Sequence, residues 1–150
     1  MAHSNEHHIK LLNGLIETTL DSVDGYREAA KDADKNQFKP LFDSMAQQRQ
    51  DVVRDLQAEV RRLGGEPEDD GTVLAAAHRV FVKLRDSLSK GDQGVIDEVE
   101  RGEDYIKAKF EKALQDTDVE PLTKAAIDKG YASVKAGHDR VSALKHAHAG

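Results

Sequence analysis

The sequence predicts an all-α protein, a four-helix bundle with a short extra helix that crosses over between the second and third long helices. Charged residues make up 33% of the chain and only three residues are prolines, a composition typical of helices with solvated outer faces. Apolar residues recur at three- and four-residue spacing in five segments, which indicates five amphipathic helices. A length of 150 residues suits one core, so we expect a single domain spanning 1–150.

Helix boundaries follow from the ends of the apolar spacing and from capping residues. Gly64 and Gly65, followed by Pro67, give a strong stop signal for the second helix. Pro40 and Pro121 suit the first turns of the second and last helices. The five predicted helices run from about Ser4 to Asp34, from Phe38 to Leu63, from a cap at Thr72 to Leu88, from Val95 to Leu114, and from a cap at Thr117 or Asp118 to Lys145.

The helix lengths suggest a topology. The first two helices form an antiparallel pair, each roughly 40 Å long at 1.5 Å per residue. The third, at about 25 Å plus its two loops, is long enough to travel back along the bundle. The fourth helix then runs parallel to the second, as a crossover connection requires. An up-and-down array of five helices is the competing arrangement, and we prefer the crossover.

Composition also bears on partners and location. A net charge of −6 and the lack of a dense basic run argue against nucleic acid, whose phosphates need a basic face. The sequence contains no cysteine, which excludes disulfides and thiolate metal sites. Neither a signal peptide nor a stretch of ~18–20 apolar residues is present. We therefore expect a cytoplasmic protein that makes no membrane contact.

Four polar residues lie on or near the predicted apolar faces of four different helices. They are Tyr26, Arg49, Glu103 and His138. With the crossover topology their heights agree to within one turn, about 5.4 Å. Because isolated buried charges are costly, we expect Arg49 to pair with Glu103 and the other two to satisfy the remaining hydrogen bonds. This layer is interpreted as a structural network, with a small-anion site and a metal site as alternatives.

Metal binding is disfavoured at this layer because the required carboxylates are replaced. Di-iron bundles use a Glu from each of two helices and Glu-x-x-His from the other two. Here the second helix offers Arg49-x-x-Val52 and the last offers Lys135-x-x-His138. Only Glu103 and His138 remain as ligands for iron or zinc. We expect no metal and no cofactor.

Other candidate residues carry weaker signals. Glu59 lies at the edge of its apolar face, where a surface ion pair is expected, and His78 is expected to be exposed on the crossover helix. Transition-metal binding is conceivable at the termini, but frayed ends preorganise ligands poorly; the histidines concerned are His3, His7, His8, His146 and His148. Since no catalytic motif and no inward carboxylate pair is found, we do not expect an enzyme.

Several segments together carry a resemblance to a known family. They include "LLNGLIETTLDSVDGYREAA", "MAQQRQDVVRDLQAEVRRLGGEPED", "GTVLAAAHR", "VERGEDYIKAKFEKAL" and "AGHDRVSALK". The chain resembles, from about His8 to Lys145, the bacterial ferritin-like four-helix-bundle proteins of unknown function. This resemblance implies a ferritin-like fold, a cytoplasmic location and a role in stress responses. It supplies no activity, and the replaced ligand positions argue against iron storage and peroxidase chemistry.

These observations lead to one functional hypothesis with two alternatives. The hypothesis is a non-enzymatic, stress-associated ferritin-like bundle without an intact di-iron site. The alternatives are a metal-binding oxidoreductase or metal store, and a module that binds a small anion or a partner. Ferritin-like bundles commonly self-associate, so a homodimer is expected through a helix face that the sequence does not specify, and no other protein partner is indicated.

Overall fold

The structure is a computed structural model that describes residues 2–33, 37–69 and 74–149. This part of the chain is all-helical, as predicted. Its helices are α1 (Ala2–Asp32), α2 (Lys39–Arg62), α3 (Leu74–Ser87), α4 (Gly91–Leu114) and α5 (Pro121–Ala149), with a one-turn 3-10 helix at Leu88–Lys90. The predicted cap Thr72 and the side chains of His3, His78 and His148 lie outside the described part.

Helix α4 begins at Gly91, earlier than the predicted start at Val95. The chain changes direction between α3 and α4 at a single residue with a positive φ. This residue is Gly91, whose φ is 81°, a conformation that glycine adopts without steric cost. The helix resumes at once, so the expected longer break across 89–94 is wrong.

Long-range side-chain pairs establish the helix directions. The pairs are Tyr26–Glu103 between α1 and α4 and His7–Asp116 between α1 and the turn after α4, Arg140–Ser44 and Lys129–Asp55 between α5 and α2, and Tyr131–Glu111 and Lys145–Glu100 between α5 and α4. Residue numbers rise on one helix as they fall on the other in all three cases, so each of these pairs of helices is antiparallel. Since α2 and α4 are both antiparallel to α5, they run in the same direction, which the crossover arrangement requires. No described helix is apolar enough over a sufficient length to cross a membrane.

The apolar core falls into two clusters along the bundle. The first cluster takes residues from 12–23 of α1, 52–63 of α2, 106–113 of α4 and 127–134 of α5. The second takes residues from 26–33, 38–46, 84, 95–99 and 141. On α2 and α4 the boundary between the two clusters falls at Arg49 and Glu103. A polar layer thus divides the core at the middle of the bundle.

Candidate functional site

Three of the four predicted polar residues meet between the two core clusters. Tyr26 comes from α1, Arg49 from α2 and Glu103 from α4. The relative exposure of Arg49 is 0% and that of Glu103 is 1%. Each residue is flanked at three- or four-residue spacing by buried apolar residues of its own helix, and this spacing turns it toward the core.

Both carboxylate oxygens of Glu103 are occupied. Nη2 of Arg49 donates a hydrogen bond to Oε1 of Glu103, and the hydroxyl of Tyr26 donates to Oε2 at 2.9 Å. The Tyr26 ring also lies 6.0 Å from the ring of Phe42, measured between centroids. The layer therefore joins three helices through one carboxylate.

Burial controls the electrostatics of this layer. Desolvation raises the pKa of Glu103 above its usual range, while the positive charge of Arg49 and the hydrogen bond from Tyr26 oppose that rise. Burial, together with the charge of Glu103, raises the pKa of Tyr26 well above its ordinary value. Tyr26 therefore stays protonated and remains a hydrogen-bond donor throughout the physiological pH range.

Helix α5 contributes backbone to the layer at Gly137. A Cβ atom at this position would lie 3.1 Å from both Nη2 of Arg49 and Oε1 of Glu103. That is closer than ordinary van der Waals contact, so a larger residue here would need the ion pair or α5 to shift by a few tenths of an ångström, and glycine lets α5 pack directly over the pair. Nε and Nη1 of Arg49 are buried and make no hydrogen bond within the described part of the chain.

His138 does not make the hydrogen bonds expected of it, and the predicted layer needs this correction. Its Nε2 lies 2.6 Å from Oδ1 of Asp104, and its side chain is 20% exposed. One residue step turns the helix by about 100°, so Gly137 faces the ion pair and His138 faces the rim between α4 and α5. A positive charge on His138 would still lower the pKa of Glu103, so it is a neighbour of the layer.

A known protein family matches most of the chain. The family described as "Domain of unknown function (DUF2383)" matches residues 7–116. The chain belongs to this family. The matched region contains Tyr26, Arg49 and Glu103, whereas Gly137 and His138 lie beyond it. No curated protein matches the chain.

A second buried carboxylate, which the sequence did not reveal, lies near one end of the bundle. Glu59 makes the expected ion pair, with half-exposed Arg62, but its own side chain is only 8% exposed, so the predicted surface position of this carboxylate is wrong. It accepts hydrogen bonds from Nε and Nη2 of Arg62 at 2.7 and 2.8 Å and from the Thr123 hydroxyl at 2.7 Å. The bonds from Arg62 are the main reason that the pKa of Glu59 is lowered. The only signal in the sequence was the three-residue spacing of Glu59 and Arg62.

Two histidines of α1 hold the connection between α4 and α5. Nε2 of His7 lies 2.7 Å from Oδ2 of Asp116. His8 is 2% exposed, and its Nε2 lies 2.9 Å from the Asp118 carbonyl and 3.2 Å from the Glu120 amide nitrogen. The expectation that this end of α1 is frayed is therefore wrong, because the contacts come from residues more than a hundred positions away.

Chemically, the central layer is a closed ion pair. One oxygen of Glu103 accepts a hydrogen bond from the guanidinium of Arg49, and the other accepts one from the neutral phenol of Tyr26. Such an arrangement holds helices in register and leaves two guanidinium nitrogens of Arg49, Nε and Nη1, to donate to further acceptors. Among the described residues, no three His, Asp or Glu side chains are grouped to hold a metal ion.

Proposed function

We propose that the protein is a ferritin-like helical bundle that acts without catalysis, with the layer of Tyr26, Arg49 and Glu103 as a structural element in place of a metal centre. The shared direction of α2 and α4 supports the ferritin-like arrangement. The resemblance of the sequence segments supports a cytoplasmic, stress-associated role.

The observation that carries this proposal is the fully buried guanidinium of Arg49. In a di-iron bundle, carboxylates surround cationic metals at the centre. Here a fixed cation already occupies that position and engages Glu103. A metal ion beside Arg49 would meet a like charge at low dielectric, which costs several kcal/mol.

Metal loading tests the proposal. Protein purified without a tag is incubated with Fe(II), Mn(II) or Zn(II), desalted, and measured for metal by elemental analysis. We expect the wild-type protein to hold no more metal than Glu103→Gln or His138→Ala. A stoichiometric metal that either substitution removes would overturn the proposal. A His7→Ala variant measures any binding by surface histidines.

A second candidate function is binding of a small anion at Arg49, and its two unpartnered nitrogens, Nε and Nη1, favour this alternative. Phosphate and acetate are the probes, in a thermal-denaturation series at constant ionic strength. Because Arg49→Leu alone leaves Glu103 buried without a partner, the matched comparison is the double variant Arg49→Leu with Glu103→Leu. Concentration-dependent stabilisation of the wild type alone would support anion binding, and equal shifts in both proteins would exclude it.

A further inference from the structure

Helix α5 is held in the bundle by fewer buried apolar side chains than the other long helices. Among the described residues, α1 and α2 each bury eight apolar side chains and α4 buries six, whereas α5 buries only Ile127, Val134 and Val141. Burial of apolar surface is the main favourable contribution that fixes a helix to its neighbours. Helix α5 is therefore the long helix that apolar packing holds least strongly.

The face of α5 that meets the bundle touches it partly through backbone. Its buried positions alternate at four- and three-residue spacing, and two of them are glycines: Thr123, Ile127, Gly130, Val134, Gly137 and Val141. A Cβ atom at Gly130 would lie 2.9 Å from Cε2 of Phe110 and 3.2 Å from Cγ1 of Val52. Contacts as close as these lose much of their dispersion energy when a gap of ~0.5–1 Å opens. Because both glycines belong to one helix, a small displacement of α5 weakens both contacts together.

Beyond its first turn, α5 makes its polar contacts with α2 and α4 at the rim of the bundle. Examples are Lys129 with Asp55 at 3.3 Å and Lys145 with Glu100 at 2.8 Å. None of these four side chains is buried, so water can replace each partner at little cost. These contacts position α5 without holding it strongly.

The first turn of α5 and the connection before it, residues 115–123, are better anchored. His8 is buried against the Asp118 carbonyl and the Glu120 amide nitrogen. The Thr123 hydroxyl donates to buried Glu59 at 2.7 Å. The start of α5 is thus fixed to α1 and α2, and the rest of the helix can turn about this point.

We infer that α5 is a lid over the central ion pair, and that its part after Thr123 lifts from the body formed by α1–α4 as one unit. In the closed state Arg49 has no exposed surface, and the α5 backbone at Gly137 covers Arg49 and Glu103. Lifting brings both charges into water while the other helices stay packed. Hydration of these charges offsets part of the lost apolar contact. The inference holds whether or not Arg49 binds an anion.

Native-state hydrogen exchange of the full chain, at low denaturant concentrations, tests the lid. We expect amide protection factors in α5 at least about tenfold lower than those in α1 and α2. Amides across 127–145 should share one dependence on denaturant, because a unit that lifts together exposes one surface. Equal protection in α5 and α2 would overturn the inference. A gradual decline of protection toward the end of α5 would also overturn it, since that pattern shows fraying.

Two matched substitutions separate lifting from unfolding of the whole chain. Val134→Ala in α5 and Val23→Ala in α1 each shorten a fully buried valine. Helix α1 packs mainly on α2, α3 and α4, so Val23 keeps these neighbours when α5 lifts. We expect Val134→Ala to lower the protection of α5 by about tenfold, whereas Val23→Ala should lower that of α1 and leave α5 unchanged. Loss of protection in both helices with Val23→Ala would show that α5 opens only when the whole chain unfolds.

A cross-link between α5 and α2 provides a test that leaves the core unchanged. The sequence contains no cysteine, so Asp55→Cys combined with Lys129→Cys places two thiols where the wild-type side chains are in contact. A short bis-maleimide joins them, and the same double variant capped with N-ethylmaleimide is the control. We expect the cross-link to raise the protection of α5 amides at least about tenfold over the capped protein. Equal protection in the two preparations would contradict a lifting lid.

Discussion

Two buried glutamates of this protein each pair with an arginine, yet their environments shift their pKa values in opposite directions. Glu103 lies at the centre of the bundle beside Arg49, which has no exposed surface, and desolvation raises its pKa. Glu59 lies near one end beside Arg62, whose side chain is 42% exposed, and hydrogen bonds lower its pKa. The pKa of a glutamate paired with an arginine is thus raised where burial of the carboxyl dominates, as at Glu103, and lowered where hydrogen bonds to the carboxylate dominate, as at Glu59.

This difference also determines what each pair contributes to stability. Removing one member of a fully buried pair leaves an uncompensated charge in the core, so the loss is large even where the intact pair adds little. Because the side chain of Arg62 is 42% exposed, its removal opens Glu59 to water, and the Thr123 hydroxyl still donates a hydrogen bond to the carboxylate, so the loss is small.

The largest effect is expected for Arg49→Leu. Because Glu103 would then be buried without its counter-ion, the free energy of unfolding should fall by about 3–5 kcal/mol. Adding Glu103→Leu should recover most of this loss, and Arg62→Leu should cost at most about 1 kcal/mol. Chemical denaturation measures all three variants. A double variant as unstable as Arg49→Leu alone would show that the buried charge is not the cause.

A smaller loss is expected for Gly137→Ala. The added methyl group would press on Arg49 and Glu103, and overpacking of this kind costs about 1–3 kcal/mol. Gly102→Ala is the matched control, since a Cβ at this exposed helical position meets nothing within 4 Å. The control should gain up to about 1 kcal/mol. Equal responses at the two glycines would contradict the close approach of α5 to the ion pair.

The pH dependence of stability should have opposite signs at the two glutamates. With a raised pKa, native Glu103 holds its proton above the ordinary value of 4.5, so its contribution to stability falls as pH rises through that window. With a lowered pKa, Glu59 contributes stability that is present above 4.5 and lost as pH falls toward its native value. The free energy of unfolding is measured against pH for the wild type, Glu103→Gln and Glu59→Gln. The difference between the wild type and each variant gives the pH dependence that this glutamate contributes. Slopes of the same sign would refute the contrast.

The smallest effect is expected for His138→Ala, because this side chain is partly exposed and bonds to exposed Asp104. The change in unfolding free energy should stay within about 1 kcal/mol. A loss of stability comparable to that of Arg49→Leu would show that His138 is part of the buried polar layer after all.

Sequence patterns were sufficient for the parts of the fold that depend on one helix at a time. Apolar spacing and proline positions predicted five helices with bounds mostly within a few residues. Helical periodicity also predicted that Arg49 and Glu103 face the core. Their similar distances from the helix ends predicted that they lie at one height in the bundle.

The rotation of each helix about its own axis, relative to its neighbours, could be read only from the tertiary structure. A helical wheel measures angles around one axis, and adjacent residues differ by about 100°, so it cannot tell whether Gly137 or His138 faces the ion pair. In the packing of α5 on α2 and α4, Gly137 faces the pair and His138 contacts Asp104 of α4. The burial of His8 likewise depends on the α4–α5 connection, and that of Glu59 on the first turn of α5, both distant in sequence. The sequence by itself determined the helices and their inward faces, and only packing determined which inward residues touch, because contact depends on how several helices are rotated against one another.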